Sequence, residues 1–303
     1  MKENEKINVL ISLPPSFFKI PRLQEVFAKV SDRANIRERS HDTAEQIQED
    51  LSWANAVLMW GWPTLTDEML EKAPDLKFIG HINGGQSSVR ASLKRGIAVS
   101  EARHSWSPAV AEMALGLMLS GLRRISDYHD QMRRGKEMWV SDFPIDIDPL
   151  ERQLTGRNVG IVGFGGIGQR LAELLAPFRT NIRIYDPYLS DSVVTKFNVN
   201  KKESVGELVE ESEIIVLCAA NNKDSLHLVC EKECKLFKKD SILINIGRSS
   251  LVDMPALLKR LEQNDMIAML DVFDTEPLEA DSKLRTLPNV YLTPHRGWHF
   301  RIG

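Results

Sequence analysis

The segment VGIVGFGGIGQRLAELL (159–175) decides the fold class of this chain. It begins with an apolar, strand-like run, passes through Gly163, Gly165 and Gly168 in G-x-G-x-x-G spacing, and continues into an amphipathic helical pattern. A second strand-like run, NIRIYD (181–186), follows and ends on an aspartate. A glycine loop between a strand and a helix, with an acidic residue closing the next strand, is the fingerprint of a dinucleotide-binding βαβ unit.

Each position of this loop has a physical role. Gly163 permits the tight turn, Gly165 lets the backbone approach a pyrophosphate, and Gly168 lets the helix pack closely on the strand. The amides around Gly166 and Ile167 lie at a helix N-terminus, where the helix dipole favours an anion. These five residues are therefore predicted to bind the cofactor.

Asp186 indicates which dinucleotide is bound. Its carboxylate would accept hydrogen bonds from both hydroxyls of the adenosine ribose, whereas a 2′-phosphate would meet a negative charge. The next residues, Pro187 and Tyr188, supply no compensating cation. The sequence therefore favours NAD over NADP.

Outward from this segment, strand-like and helical runs alternate along almost the whole chain. A chain of 303 residues also exceeds the usual size of one hydrophobic core. The pattern predicts an α/β protein with two Rossmann-like, doubly wound parallel-sheet domains and a cleft between them. The strand-like runs are 7–13, 35–40, 56–60, 76–82 and 97–101, then 158–164, 181–186, 213–219, 241–247, 266–273 and 289–294.

A long helical section separates the two series. Ser107 followed by Pro108 is a helix start signal, with a capping hydroxyl before a proline. The stretch 109–122 is apolar on nearly every face, so we expect that helix to be buried on most sides.

Composition narrows the class of protein. A net charge of -3 gives no electrostatic reason to expect nucleic acid or a membrane surface as a partner. The apolar stretch 109–122 is too short to span a bilayer, and we read no signal peptide at the N-terminus. Cys218, Cys230 and Cys234 are expected to be reduced thiols of a cytoplasmic protein, with no metal site.

Three ionisable residues follow later strands of the second series: Arg248, Glu276 and His295. Each alone is more often a solvated loop residue than a catalytic one. However, in an open α/β sheet the loops at the carboxyl ends of the strands hold the ligand and the chemistry. Their joint placement therefore predicts an active site.

The motifs around these residues resemble those of the D-isomer-specific 2-hydroxyacid dehydrogenases. That family includes glyoxylate and hydroxypyruvate reductases, lactate and phosphoglycerate dehydrogenases, formate and phosphite dehydrogenases, and a corepressor branch. The resemblance extends from about residue 76 to 298. In chain order its main motifs are VGIVGFGGIG with YDPY, INIGRSSLVD, LDVFDTEPL and NVYLTPH, with weaker agreement at RGIAVSEA and SPAVAEMALGLML.

The resemblance implies a role for each of these residues. Arg248 matches the arginine that grips the substrate carboxylate and polarises its carbonyl. His295 resembles the general acid/base, and Glu276 the carboxylate that holds this histidine. Asp271 matches the aspartate that hydrogen-bonds the carboxamide of nicotinamide.

Further contacts complete the predicted site. Ala219, Ile246 and Gly247 are expected to contact the cofactor, together with Arg248 and His295. The substrate, a small 2-hydroxy or 2-keto acid, is expected to contact Gly84, Gly85, Arg248 and His295.

The resemblance also implies the domain limits. Residues 1–101 and 288–303 are expected to form the substrate domain, and residues 102–287 the NAD-binding domain. In the family, dimers form through the helical section after residue 102, so a homodimer is expected.

Two departures from the family pattern affect the substrate and the C-terminal segment. The substrate loop usually reads G-x-G-x-D, but here it is HINGGQSSV (81–89), without the aspartate. In the family a further helix follows the histidine, whereas here only RGWHFRIG (296–303) does. We expect Pro294 and the preceding strand to hold His295 at the crevice, with Trp298 matching an aromatic residue found in some branches.

Alternative functions remain open at this point. The leading hypothesis is an NAD-dependent oxidoreductase acting on a small D-2-hydroxy or 2-keto acid. An NAD(H)-sensing binding protein of the corepressor type, without turnover, is the alternative from another class. Phosphite or another inorganic donor is also compatible with the three residues, whereas the formate dehydrogenases carry glutamine where this chain has Glu276.

Overall fold

The structure is a computed structural model that describes residues 6–82, 86–102, 104–136, 139–143, 145 and 148–298. The chain divides into two compact units, Met1–Ser105 and Trp106–Gly303. Each unit is built on one parallel sheet with intervening helices. The parallel α/β fold that the sequence predicts is confirmed.

The first unit contains, within its described residues, a five-stranded parallel sheet of order β2-β1-β3-β4-β5. Its core is formed by apolar side chains of both strands and helices, such as Leu10, Val57 and Leu51. The strands are β1 (Ile7–Ser12), β2 (Ala34–Arg39), β3 (Ala56–Met59), β4 (Phe78–His81) and β5 (Ala98–Glu101). The helices are α1 (Pro21–Val30), α2 (Ala44–Trp53), α3 (Asp67–Glu71) and α4 (Gln86–Lys94).

The second unit contains, over the described part of its chain, a seven-stranded parallel sheet of order β12-β11-β10-β9-β6-β7-β8. The strands are β6 (Asn158–Val162), β7 (Asn181–Tyr185), β8 (Asn200–Lys201), β9 (Ile214–Leu217), β10 (Ile242–Asn245), β11 (Ile267–Leu270) and β12 (Val290–Leu292). The helices are α5 (Ser107–Leu122), α6 (Ile125–Arg133), α7 (Gly166–Leu175), α8 (Asp191–Phe197), α9 (Val205–Glu211), α10 (Glu231–Cys234) and α11 (Met254–Leu261).

Both faces of this second sheet are covered. Along β9, Ile214 and Val216 belong to one buried cluster, whereas Ile215 and Leu217 belong to the other. Successive strand residues point to opposite faces, so a strand covered on both sides must be apolar throughout. This explains why the central strands read as continuous apolar runs in the sequence.

Residues 288–303 were expected in the first domain, but the strand within them lies in the second unit. Strand β12 pairs in parallel with β11, with Met269 opposite Tyr291, and therefore extends the second sheet. Val290 and Leu292 pack on one buried cluster of this unit and Tyr291 on the other. Strand pairing and side-chain burial thus both place this segment in the second unit.

Helix α5 also differs from expectation. Its N-cap is Trp106, and Ser107 is its first residue, buried rather than capping. The helix packs against α7, β10 and β11, but Glu112 and Gly116 remain exposed on one side. The helix is therefore buried where it faces α7, β10 and β11, and a stripe along another face is exposed to solvent.

Three features that would indicate particular classes of protein are membrane-spanning helices, metal-binding clusters and disulfides. Among the described residues, no helix combines the length and apolarity needed to cross a membrane. In the same part of the chain, no three histidine, cysteine or acidic side chains gather as they would around a metal ion. Cys218, Cys230 and Cys234 are free thiols.

Candidate active site

The glycine loop joins β6 to α7, and its geometry explains each glycine. Gly163 has a φ of +87°, and a Cβ there would lie 2.5 Å from the Cα of Ala219. A Cβ on Gly168 would lie 2.5 Å from the carbonyl oxygen of Gly163. These two positions accept only glycine, because the turn and the packing of the helix on the strand leave no room.

Gly165 is different, because a Cβ there would meet no atom within 4 Å. It is the N-cap of α7, whose first residue is Gly166. The first amides of a helix have no partner within the helix and carry the positive end of its dipole. Open space beside such amides is what an approaching pyrophosphate requires.

Asp186 follows β7 and is fixed beside this loop. Its Oδ2 accepts a hydrogen bond from the Phe164 amide at 2.8 Å, and its Oδ1 accepts one from the Tyr188 amide at 3.0 Å. The carboxylate is thus held at the end of the strand next to the glycine loop. The loop, the helix N-terminus and this carboxylate together fit the pyrophosphate and ribose of a dinucleotide.

The residues after β9 and β10 lie at the same edge of the sheet, because parallel strands end together. Ala219 is the residue against which Gly163 turns. The side chain of Ile246 is buried in the core, so any contact with a ligand would come from its backbone. At Gly247 a Cβ would lie 2.9 Å from Leu251, which explains the glycine.

Arg248 follows β10 and is exposed. Its Nη1 donates a hydrogen bond to the Gly247 carbonyl at 2.7 Å, and its own carbonyl accepts one from Asn245 Nδ2 at 2.9 Å. The backbone of this loop is therefore fixed by Asn245, and the guanidinium emerges at the carboxyl edge of the sheet.

The structure brings Glu276 and His295 into direct contact. Nδ1 of His295 lies 2.6 Å from Oε2 of Glu276, and the Phe273 amide donates to the other carboxylate oxygen at 3.0 Å. The two side chains are 35% and 30% exposed for Glu276 and His295, so the pair is partly open to solvent.

The charge of Arg248 also acts on this pair. Burial raises the pKa of the Glu276 carboxyl, but the hydrogen bonds from His295 and Phe273 and the charges of His295 and Arg248 outweigh it. The pKa of Glu276 therefore lies below its ordinary value. The carboxylate stays ionised and is available to hold an imidazolium.

A cavity of about 550 Å³ adjoins the Glu276–His295 pair. Its walls are largely apolar, with one arginine. A volume of this order is typical of small-molecule sites, which lie between about 300 and 1,000 Å³. Besides the pair, its lining includes Phe273, Leu278, Arg285, Leu292 and Pro294.

The predicted substrate-binding glycines and the predicted nicotinamide-binding aspartate differ in how far the structure describes them. Gly84 and Gly85, the predicted substrate-binding residues of the first unit, lie outside the described residues. Asp271 is only 1% exposed, and its carboxylate faces the turn that carries His295. The contacts of Thr293 and Gly297 with this aspartate were not predicted, although the pattern T-P-H-x-G after a strand could have suggested a tight turn.

Fold and site together define a dinucleotide-binding α/β protein with a histidine–carboxylate pair at the carboxyl edge of its second sheet. Residues 115–297 match the family described as D-isomer specific 2-hydroxyacid dehydrogenase, NAD binding domain. The chain belongs to this family of oxidoreductases that act on CH–OH groups, and NAD is its cofactor.

Known relatives agree with this assignment. The chain is 32% identical over 258 residues to the D-3-phosphoglycerate dehydrogenase of Methanocaldococcus jannaschii, a match that covers 84% of this chain but 48% of that enzyme. It is 30% identical to a glyoxylate/hydroxypyruvate reductase of Arabidopsis thaliana, over 95% of this chain and 86% of the relative. A crystal structure of a Pyrococcus horikoshii protein matches with a TM-score of 0.80 and 25% identity, covering 98% of this chain and 87% of the other.

Proposed function

We propose that this protein catalyses the NAD-dependent interconversion of a small 2-keto acid and its D-2-hydroxy acid. The observation that carries the proposal is the 2.6 Å contact of His295 with Glu276, near Arg248 and at the sheet edge that also carries the glycine loop. Glyoxylate and hydroxypyruvate are the proposed substrates, supported by the named activity of the Arabidopsis relative.

The second unit holds the cofactor in this proposal. Gly163, Gly165, Gly166, Ile167 and Gly168 form the pyrophosphate site, and bound NADH supplies the hydride for reduction. Asp186 binds the adenosine ribose and disfavours a 2′-phosphate. The remaining proposed contacts are made by Ala219, Ile246, Gly247, Arg248 and His295, whereas the carboxylate of Asp271 is occupied mainly by the turn that carries His295.

Arg248 binds and orients the substrate. Its planar guanidinium matches a carboxylate through two charge-assisted hydrogen bonds, a geometry that lysine does not reproduce. Because Nη1 already donates to the Gly247 carbonyl, the other donors of the fork are the ones that meet the substrate. The amides of Gly84 and Gly85 are proposed to bind the same carboxylate.

His295 moves the proton. Its Nδ1 is bonded to Glu276, so Nε2 is the nitrogen that exchanges a proton with the substrate oxygen. In reduction the imidazolium donates this proton as the carbonyl oxygen gains electron density, and in oxidation the neutral imidazole accepts it. Such proton transfer contributes roughly 10²–10⁴-fold to the rate.

The test is consumption of NADH with a panel of 2-keto acids that includes glyoxylate, hydroxypyruvate and pyruvate. The wild-type protein should oxidise NADH with at least one of them. A His295→Ala variant should still bind NADH, because the glycine loop and Asp186 are proposed to hold most of the cofactor, but it should turn over about 10²–10⁴-fold more slowly. If the wild-type protein binds NADH and reduces none of the panel, the chain is a binding protein or uses another donor.

Domain roles and location complete the proposal. The first unit is proposed to bind the substrate and the second the cofactor, with strand β12 and the turn that follows it in the cofactor unit. We propose a cytoplasmic location, supported by the free thiols of Cys218, Cys230 and Cys234, because disulfides are rare in that compartment.

A homodimer is proposed through the region after residue 102. Phe143 and Ile145 are 76% and 80% exposed, which is unusual for large apolar side chains on a monomer surface. Sedimentation equilibrium should give twice the mass of the chain. A double substitution, Phe143→Ser with Ile145→Ser, should shift the protein toward monomer, and a monomeric mass for the wild type would contradict the dimer.

A further inference from the structure

The carboxylate of Asp271 is buried directly after β11. The residue is 1% exposed, and its amide donates to the Asn245 carbonyl at 3.0 Å, which fixes its backbone to the neighbouring strand. A buried carboxylate must be compensated by hydrogen-bond donors, because the loss of hydration is otherwise costly. The donors around Asp271 therefore show what its charge stabilises.

Three donors meet this carboxylate, and all come from the segment that follows β12. The Thr293 hydroxyl donates to Oδ1 at 2.6 Å, and the Arg296 amide donates to the same oxygen at 2.9 Å. The Gly297 amide donates to Oδ2 at 2.8 Å. An ionised carboxylate has about four lone-pair sites, so the turn occupies three of them.

His295 lies inside the turn that these bonds close. Its φ is +50°, a left-handed conformation that is uncommon for a residue other than glycine, and its amide donates to the Thr293 carbonyl at 3.0 Å. Such a conformation persists only where the surroundings impose it. Asp271 bonds the chain on both sides of His295, at Thr293 and at Arg296.

The C-terminal end of the turn, at Gly297, also packs closely against the aspartate. A Cβ on Gly297 would lie 3.1 Å from Oδ2 of Asp271, tighter than an ordinary contact. The next residue, Trp298, packs edge-on against Trp106 with ring centroids 5.6 Å apart. The turn is therefore anchored by the carboxylate within it and by an aromatic contact at its end.

We propose that Asp271 is a positioning residue for His295, acting through the Thr293–Gly297 turn. This inference rests on the proposed role of His295 as proton donor. It differs from the role that the family resemblance implies, a hydrogen bond to the nicotinamide carboxamide, for which at most one lone pair remains. In this protein the main effect of Asp271 is on the orientation of the imidazole.

The experiment uses Thr293, because its hydroxyl contributes one bond to the turn. Thr293→Val removes this donor with little change of shape, and Thr293→Ser restores it. With NADH and glyoxylate, the valine variant should show a kcat lowered about tenfold, the scale of one hydrogen bond to a charged group, and a shifted pH profile. Its KM for NADH should change less than about twofold, since the substitution leaves the glycine loop untouched, and the serine variant should recover most of the wild-type rate.

The Asp271→Asn variant tests the same turn from the side of the aspartate. One of its oxygens becomes an NH₂ group, which cannot accept a bond from the turn, so kcat should fall further. The Asp271→Asn protein should bind NADH and ADP-ribose, which lacks nicotinamide, with the same ratio of affinities as wild type. Combining Thr293→Val with Asp271→Asn should be no slower than Asp271→Asn alone, since both act on one turn.

Two results would overturn the proposal. One is a Thr293→Val variant with wild-type kcat and pH profile. The other is an Asp271→Asn variant that loses affinity for NADH but not for ADP-ribose, which would place its effect on the carboxamide.

Failure of the proposed function is recognised separately, as a wild-type protein that turns over no 2-keto acid. In that case the positioning role of Asp271 can still be tested by NMR titration of the His295 ring. The signal of this ring is assigned as the one that disappears in His295→Ala. A titration altered by Thr293→Val and by Asp271→Asn but not by Thr293→Ser supports positioning, and identical titrations in all of these proteins overturn it.

Discussion

Replacing Glu276 with glutamine tests the acid/base pair most sharply. The carboxylate accepts two hydrogen bonds, one from Nδ1 of His295 and one from the Phe273 amide. Glutamine keeps the shape but has one carbonyl oxygen, so it can accept only one of them. It also removes the negative charge that stabilises the imidazolium.

The size of the effect follows from the geometry. A hydrogen bond to a charged group contributes about 1.5–3 kcal/mol, and partial exposure of both side chains places this one near the lower limit. About 1.4 kcal/mol corresponds to a factor of ten, or to about one pH unit in a titration. We therefore expect reduction of the 2-keto acid at neutral pH to slow about tenfold in Glu276→Gln.

The assay is the pH dependence of kcat/KM for NADH-dependent reduction. In the variant, kcat/KM should be about tenfold lower than in wild type at neutral pH, because His295 loses the carboxylate that orients its ring. Glu279→Gln is the matched control, with the same change of charge in the same exposed loop. Profiles of Glu276→Gln and wild type that coincide in height and position would refute the reasoning, as would an equal effect of Glu279→Gln.

Stability should depend on pH through the same group. The pKa of Glu276 is lowered in the folded protein, so its contribution is present above the ordinary carboxyl pKa and is lost as the pH falls through the lowered value. Urea unfolding should show that wild type loses more stability than Glu276→Gln between neutral and acidic pH. An equal loss in both proteins would mean that the pair does not stabilise the fold.

Three further substitutions test the rest of the site. Arg248→Lys should lower kcat/KM for the 2-keto acid by about tenfold or more, because the two-bond fork is lost, whereas the Kd for NADH measured by titration calorimetry should change less, because the glycine loop and Asp186 hold most of the cofactor. Gly165→Ala should leave the Tm unchanged, since its Cβ meets open space, but should raise the Kd for NADH by about tenfold or more if the pyrophosphate occupies that space. Asp186→Asn should reduce the preference for NADH over NADPH in kcat/KM by roughly tenfold, by removing the charge that opposes a 2′-phosphate.

These substitutions have their own controls. Gly156 has a positive φ and no close neighbour, so Gly156→Ala should lower the Tm without affecting NADH. Unchanged NADH affinity in Gly165→Ala would show that the pyrophosphate does not bind next to Gly165. An unchanged kcat/KM for the 2-keto acid in Arg248→Lys, or an unchanged cofactor preference in Asp186→Asn, would contradict the corresponding role.

The local features of the fold could be predicted from the sequence. The glycine loop is a local pattern in which sterics fix each position, so its place between β6 and α7 followed from spacing alone. The central strands of the second sheet are apolar along most of their length because both faces are covered, and that pattern is also local. The contact between Glu276 and His295 was expected from the family resemblance, and the two residues do follow neighbouring parallel strands.

Non-local features could not be predicted in the same way. The run around Tyr291 would suit an edge strand of either sheet, and only its pairing with β11 assigns it to the second unit. The bonds from Thr293 and Gly297 to Asp271 depend on how two loops meet, which spacing does not show. Ser107 and Pro108 gave a helix start that was correct to within one residue, because adjacent residues can share the capping position.

The central claim is that hydride passes between nicotinamide and carbon 2 of a small acid while His295 supplies the proton. The most direct measurement is mass spectrometry and chiral analysis of the product formed from hydroxypyruvate and NADH in which both hydrogens at nicotinamide carbon 4 are replaced by deuterium. We expect a D-2-hydroxy acid with deuterium at carbon 2, formed at a rate that collapses in His295→Ala. An unlabelled or L-configured product, or a rate unaffected by His295→Ala, would contradict it.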